Sequence, residues 1–351
     1  PPPPPPPVPH NFLSPPFIFS PPRPPPPPPP PPPPTDIVPM SNPSPLPAAP
    51  FSIALWATNL STPLNGLDAW AAHIEARMAE AAAGGARLLV MPEYACEAWL
   101  SFKPAGLTPE REIAWMAEQA PAARDLLRAL PAKHGIGLLA GTMPWETEDG
   151  FANRAWLLLP DGRVIAQDKL SLTPGEQEPD CWNLTPGKAL QVVEWEGLRV
   201  VILVCLDIEM PALSVKLAPL KPDLILVPSM TGKLSGYSRV FGCAKARAVE
   251  LMCAVGACGT IGRAPGSTQN PTNVSACALY LPCEPSLGMN GVLEDLPPLA
   301  EHEGDGPVMM AHNIPFGEIR RLRESGAEVW PGTWRADHIA LVEDAAEEPL
   351  P

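Results

Sequence analysis

Three side chains able to act together on an acyl carbon stand where a run of apolar residues stops. A carboxylate, Glu93, follows Leu88-Leu89-Val90-Met91-Pro92; an amine, Lys169, follows Asp168; and a thiol, Cys205, follows Val200-Val201-Ile202-Leu203-Val204 and precedes the polar turn that contains Asp207. In α/β chains function gathers at strand ends. A thiol placed there faces main-chain N–H groups, which lower its pKa and can hold an oxyanion. An acid, an amine and a thiol are the parts that nucleophilic acyl transfer requires. Each alone has an ordinary structural reading: Cys205 as a small core hydrophobe, Glu93 as a cap or surface acid, Lys169 as a solvated cation. Their conjunction at three separate strand ends is what points to chemistry.

The elements that must position them are legible as an alternation. Phe51–Trp56 reads as a first strand, and apolar residues at Leu67, Trp70, Ala71, Ile74, Met78 and Ala81 give the three-and-four spacing of an amphipathic helix, ended by Gly84-Gly85. Ala86–Met91 follows as a strand buried on both faces. Thr108-Pro109 opens a helix expected to run to about Leu130, with Thr at the cap and Pro at the first position. Strands are expected at Gly137–Thr142, Trp156–Leu159, Val164–Ile165, Arg199–Leu206, Asp223–Val227 and Cys253–Ile261, with helices from about Pro211 and over Val240–Met252. Strands alternating with helices imply an α/β core, and the hairpin turn at Pro160-Asp161-Gly162 makes the sheet mixed.

Composition sets the limits. Residues 1–50 hold 28 of the 54 prolines, a tail that favours extended polyproline II and cannot bury a core, and acidic residues crowd the last segment, 341–351. Residues 51–340 are left as a single globular domain. A net charge of −14 offers no basic footprint for nucleic acid. The longest apolar stretch, Val200–Cys205, is far short of a membrane span. The eight cysteines form no C-x-x-C pair and the six histidines no H-E-x-x-H, so reduced thiols in a cytoplasmic protein are expected, with no metal and no cofactor. A scaffold protein recruiting partners through the polyproline tail is the competing class. The tail reads equally as sequence upstream of a start at Met40.

Three segments in order carry a resemblance to the nitrilase, or carbon–nitrogen hydrolase, superfamily: Leu89-Val90-Met91-Pro92-Glu93-Tyr94, Asp168-Lys169-Leu170-Ser171-Leu172-Thr173-Pro174-Gly175-Glu176, and Ile202-Leu203-Val204-Cys205-Leu206-Asp207-Ile208-Glu209-Met210-Pro211. Pro222–Ser229 and Ala246-Arg247-Ala248-Val249-Glu250 support it. The resemblance implies a four-layer α-β-β-α sandwich with Glu93, Lys169 and Cys205 as the catalytic set. It also implies a second glutamate bracing the lysine, for which Glu176 is preferred and Glu178 competes. The main-chain N–H of Leu206 is the implied oxyanion donor, and a homodimer or larger assembly is implied as well. Trp182, Met230 and Thr231, just after these segments, are candidates to line the pocket, and Glu250 is expected to hold a buried hydrogen bond. Departures at Leu206 and Leu251 from the commoner aromatic and Asn leave open whether the substrate is a small amide, which is favoured, a nitrile or an N-carbamoyl compound. The expected chemistry starts from a thiolate supplied by the neighbouring ammonium and carboxylate, and passes through a thioester on Cys205 to a carboxylic acid and ammonia or an amine.

Overall fold

The computed structural model describes residues 44–46, 49–268, 271–325 and 327. The expected N-terminal tail lies largely outside these residues, and the acidic C-terminal tail wholly so.

Five strands lie side by side in chain order: β1 (Ile53–Trp56), β2 (Leu88–Val90), β3 (Gly137–Thr147), β4 (Gly150–Leu158) and β5 (Val164–Asp168). The first three run parallel, joined by α1 (Leu67–Ala83) and then by α2 (Glu112–Leu127) with the short α3 (Leu130–His134), and the last two follow as antiparallel hairpins. One helical turn, α4 (Pro174–Gln177), leads to a second sheet. That sheet is β6 (Val192–Trp195), β7 (Leu198–Ile202), β8 (Leu224–Ser229), β9 (Ala254–Gly259), β10 (Cys277–Tyr280) and β11 (Val292–Asp295). Its middle strands β7, β8 and β9 are parallel, with α5 (Pro211–Leu217) and α6 (Leu234–Glu250) as their crossovers. Finally β12 (Val308–Ala311) returns to pair antiparallel with β1, and α7 (Phe316–Glu324) closes the described chain.

Side-chain alternation explains the layering. Along β1 every residue is buried, but Ile53 and Leu55 belong to the cluster shared with the second sheet, whereas Ala54 and Trp56 join Trp70, Ile74 and Met78 of α1. Successive strand residues face opposite sides, so a strand with helices on one face and a sheet on the other must be apolar throughout. Gly256 of β9 meets Ile53 and Leu55 where its own side chain would stand, which lets the sheets close on each other. On the far side, Val240, Phe241, Ala244 and Ala248 of α6 cover the second sheet. The result is the expected four-layer α-β-β-α sandwich with two mixed sheets.

Several boundaries differ from the sequence reading. The helix expected from Thr108 to Leu130 is broken into a 3-10 turn at Pro109–Arg111, α2 and α3, and Thr108 makes no side-chain cap. The strand expected over Arg199–Leu206 ends at Ile202, because Cys205–Glu209 forms a 3-10 turn. The helix placed at Val240–Met252 begins six residues earlier, at Leu234, since its exposed first turn carries no apolar period. Strands β6, β10, β11 and β12 gave no usable signal; each is four residues long.

Candidate active site

Each of the three residues leaves its strand on a short segment that other residues pin in place. Glu93 follows β2 by three positions, and the loop is received by a bulge in β3, where the register shifts between Leu139 and Thr142. Gly141 in that bulge has φ +66°, and a side chain there would lie 2.1 Å from the Pro92 carbonyl oxygen. The Thr142 hydroxyl then accepts the main-chain N–H of Tyr94 at 3.0 Å. Lys169 follows β5 directly. Cys205 opens its 3-10 turn with φ +49°, a left-handed conformation that costs a non-glycine residue energy and holds its side chain in one direction.

Asp207, fully buried, ties the thiol and amine segments together. Its Oδ1 accepts the N–H groups of Leu170 at 3.1 Å and Ser171 at 2.7 Å, and its Oδ2 accepts that of Val204 at 3.0 Å. Burial pushes its carboxyl up to about 6, against the pull of those N–H donors.

The three side chains meet. Lys169 Nζ donates to Glu93 Oε1 at 2.8 Å and to both oxygens of Glu176, at 2.9 and 2.8 Å, and all three groups are at most 4% exposed. Glu176 sits in a capping box: the Thr173 hydroxyl and N–H both donate to its Oε2, at 2.9 and 2.8 Å. Glu178 is exposed and makes no contact with the lysine, so of the two sequence candidates Glu176 is the brace. Glu93 Oε2 accepts the Met230 N–H at 2.8 Å, while Cys205 Sγ lies 3.6 Å from the Met230 carbonyl oxygen and hydrogen-bonds the Glu93 carboxyl.

Burial raises the Glu93 pKa, with the Lys169 charge opposing it. Burial alone would lower the Lys169 pKa, but Glu93, Cys205 and Glu176 outweigh it and keep the ammonium charged. The Cys205 thiol is pushed far up, first by burial and then by the Glu93 charge, with Lys169 opposing. Burial and the Glu93 charge thus work against the thiolate expected from the sequence, and the Lys169 charge works for it. The ammonium is shared by two carboxylates, and the thiol stands beside the Glu93 carboxyl.

Cys205 opens onto a cleft of about 420 Å³ lined also by Leu206, Met230, Thr231, Thr173 and Glu209. Thr231 lines it but spends its hydroxyl on the Val274 carbonyl oxygen at 2.6 Å. Trp182 lies in an adjoining cleft with Glu176, its ring edge-on to Tyr94 at 4.7 Å. Glu250 is half-buried and pairs with Arg247 rather than holding a buried bond. Among the described residues no group of three His, Cys, Asp or Glu side chains is disposed to hold a metal ion. None of their helices is long and apolar enough to cross a membrane.

Sequence reasoning missed two members. Asp207 was visible as the polar residue after the thiol. Asn153 of β4, 1% exposed, donates its amide to Glu93 Oε1 at 2.8 Å and to Glu176 Oε1 at 3.2 Å. Its signal was an amide in a strand that is otherwise apolar except for the neighbouring Arg154.

A two-sheet sandwich with a thiol, a carboxylate and a braced ammonium at its strand ends defines a class of hydrolase fold. The carbon–nitrogen hydrolase family pattern matches residues 58–283, and the chain belongs to that family. It is 26% identical over 202 residues to the probable hydrolase YhcX of Bacillus subtilis (strain 168), covering 58% of this chain and 38% of that one. It is 31% identical over 161 residues to an (R)-stereoselective amidase of Pseudomonas sp, covering 45% and 53%. The chain thus spans about half or less of these relatives' own length. An amidase crystal structure from Nesterenkonia sp. shares the fold with a TM-score of 0.58 at 24% identity, covering 78% of this chain and 95% of that one.

Proposed function

We propose that this chain hydrolyses a small amide through a thioester on Cys205, releasing a carboxylic acid and ammonia or an amine. The observation that carries the reading is the count of lone pairs on the two buried carboxylates. A carboxylate oxygen offers about two acceptor sites. Both Glu176 oxygens are filled, by Lys169, Asn153 and Thr173, so Glu176 is a brace. Glu93 Oε1 is filled by Lys169 and Asn153, whereas Oε2 accepts one N–H, that of Met230, and keeps its second site for the Cys205 thiol that the carboxyl faces.

The sulfur attacks the amide carbon as its proton passes to Glu93 Oε2, and the C=O electron pair moves onto oxygen. The Lys169 charge and the Leu206 N–H, in the first turn of the 3-10 segment, stabilise that oxyanion, at about 3–4 kcal/mol for a well-placed donor. The C–N bond then breaks as Glu93 returns the proton to nitrogen. Water, deprotonated by Glu93, attacks the thioester, and the thiol leaves with the proton. The likeness to the Pseudomonas amidase supports an amide over a nitrile or N-carbamoyl substrate.

Ammonia release from panels of small amides, N-carbamoyl amino acids and nitriles tests this. The unaltered chain should act on amides, and Cys205→Ala should fall to the blank while keeping its thermal unfolding midpoint. Turnover by Cys205→Ala at the unaltered rate would remove the thioester from the mechanism, and release from nitriles alone would reassign the substrate.

A further inference from the structure

Asn153 poses a problem that the hydrolytic mechanism does not answer. Its amide nitrogen serves two carboxylates, but its carbonyl oxygen Oδ1 is buried and has no hydrogen-bond partner among the described residues. An orphaned buried acceptor is costly and needs an explanation. The opposite orientation is worse, because it aims the oxygen at Glu93 Oε1 and Glu176 Oε1, two oxygens that already accept from Lys169. The side chain is therefore held by its N–H groups alone, and the fold tolerates the stranded oxygen to keep them there. An apolar residue of similar size at this interior place in β4 would avoid the orphan and strip both carboxylates of a donor.

We infer that Asn153 is a positioning residue: with Lys169 it fills Glu93 Oε1, so that Oε2 is the oxygen left to take the Cys205 proton. This rests on the role proposed for Glu93. The geometry gives it two effects. It blocks the rotation of the Glu93 carboxyl that would exchange its oxygens, because Oε1 is tied to two donors from β4 and the end of β5, and Oε2 to one from the end of β8. It also stabilises the ionised form of Glu93, since a donor to a carboxylate favours its charged state. The titratable groups facing Glu93 are Lys169, Glu176, Cys205 and Tyr94, and Asp207 lies behind the lysine segment. Of these only Glu176 also loses a donor when Asn153 is changed, and it keeps Lys169 and Thr173.

The rate of Cys205 alkylation by iodoacetamide, followed against pH by peptide mass mapping, reads the Glu93-assisted loss of the thiol proton without knowledge of the natural substrate. In the unaltered chain the rate should fall on the acid side as Glu93 protonates, and Glu93→Gln should abolish that limb. Asn153→Ala should move the limb to higher pH by about one unit, the size expected for one lost donor to a charged carboxylate. Asn153→Asp, of the same shape but adding a charge beside Glu93, should move it further. Asn153→Ser, which keeps a hydroxyl donor, should fall between the unaltered chain and Asn153→Ala. In the amidase assay kcat should fall at least tenfold with KM nearly unchanged. Loss of thermal stability in Asn153→Ala or Asn153→Asp with the limb unmoved would overturn the inference, as would a rise in KM alone. If the limb is absent from the unaltered chain or survives in Glu93→Gln, the assignment of Glu93 as base fails first, and the Asn153 variants are then read only as stability changes. If Asn153→Ala does not fold, the Asn153→Asp and Asn153→Ser limbs decide.

Discussion

At the scale of single residues, one buried cation compensates two buried carboxylates. Removing one partner of such a cluster costs far more than the cluster contributes net, because a charge is stranded in low dielectric. Lys169→Met should destabilise the fold by about 3–5 kcal/mol at neutral pH for this reason. Without the ammonium, burial and the neighbouring Glu176 raise Glu93 above its unfolded value, so the folded state holds an extra proton and loses stability as pH rises. Urea unfolding should therefore show the deficit against the unaltered chain shrinking from pH 8 to pH 5, and a constant deficit would contradict the charge account. Glu93→Gln keeps shape and Oε1 as an acceptor but removes the base, so kcat should drop by roughly 10²–10⁴ with little loss of stability. Glu93 and Cys205 were legible in the sequence because each ends an apolar run, and Lys169 because it stands in the segment to Glu176 that carries the family resemblance. Asn153 was not, because a single amide within β4 does not reveal which groups the fold brings to it from 60 positions upstream and 23 downstream.

At the scale of elements, precision comes from irregularities rather than from the strands themselves. The bulge at Gly141 makes room for the Pro92–Glu93 loop, and the left-handed Cys205 turns its side chain out of the β7 direction. Asp207 ties the cysteine turn to the lysine segment through three main-chain N–H groups. Gly141→Ala places a methyl 2.1 Å from the Pro92 carbonyl oxygen at a φ that disfavours any side chain. The strain should exceed about 2 kcal/mol, and it falls on the segment that carries Glu93. Thermal unfolding and amide turnover should fall together, with kcat affected more than KM; a stable variant of unchanged kcat would mean the loop is positioned elsewhere. The bulge was hidden because Gly141 sits in an unbroken apolar run, where a glycine reads equally as strand interior. The capping box at Thr173 and Glu176 has the local pattern T-x-x-E, and its use here is that the same glutamate holds the lysine.

At the scale of the molecule, the described chain is closed by its own C-terminal part. The strand β12 completes the first sheet beside β1, while α7 reaches the second sheet through Asp223, which is 1% exposed at the start of β8. That carboxylate accepts Arg320 at 2.9 and 2.6 Å, Arg323 at 3.1 Å and the Arg199 N–H at 2.9 Å. The α/β core was legible from the strand and helix alternation up to β9, and its four layers from the family resemblance, but this closure was not. The short strand β12 and the pairing of two arginines with an aspartate about 100 positions away leave no local pattern. Burial alone would raise the Asp223 carboxyl, but Arg320 and Arg323 outweigh it and hold the group below its ordinary value. A depressed carboxylate contributes stability that is present above its unfolded pKa and lost as pH falls through its folded one. Asp223→Asn should therefore cost about 3–5 kcal/mol at pH 7, since Arg320 and Arg323 lose the buried carboxylate they share, and the difference from the unaltered chain should close below about pH 4. Activity per folded molecule should stay unchanged, because this network lies apart from Cys205 and Glu93. Denaturant unfolding at pH 7 and pH 3, alongside amide turnover, separates the closure of the sandwich from the chemistry it supports: a variant stable at pH 7 but slow in turnover would show that Asp223 serves the site instead.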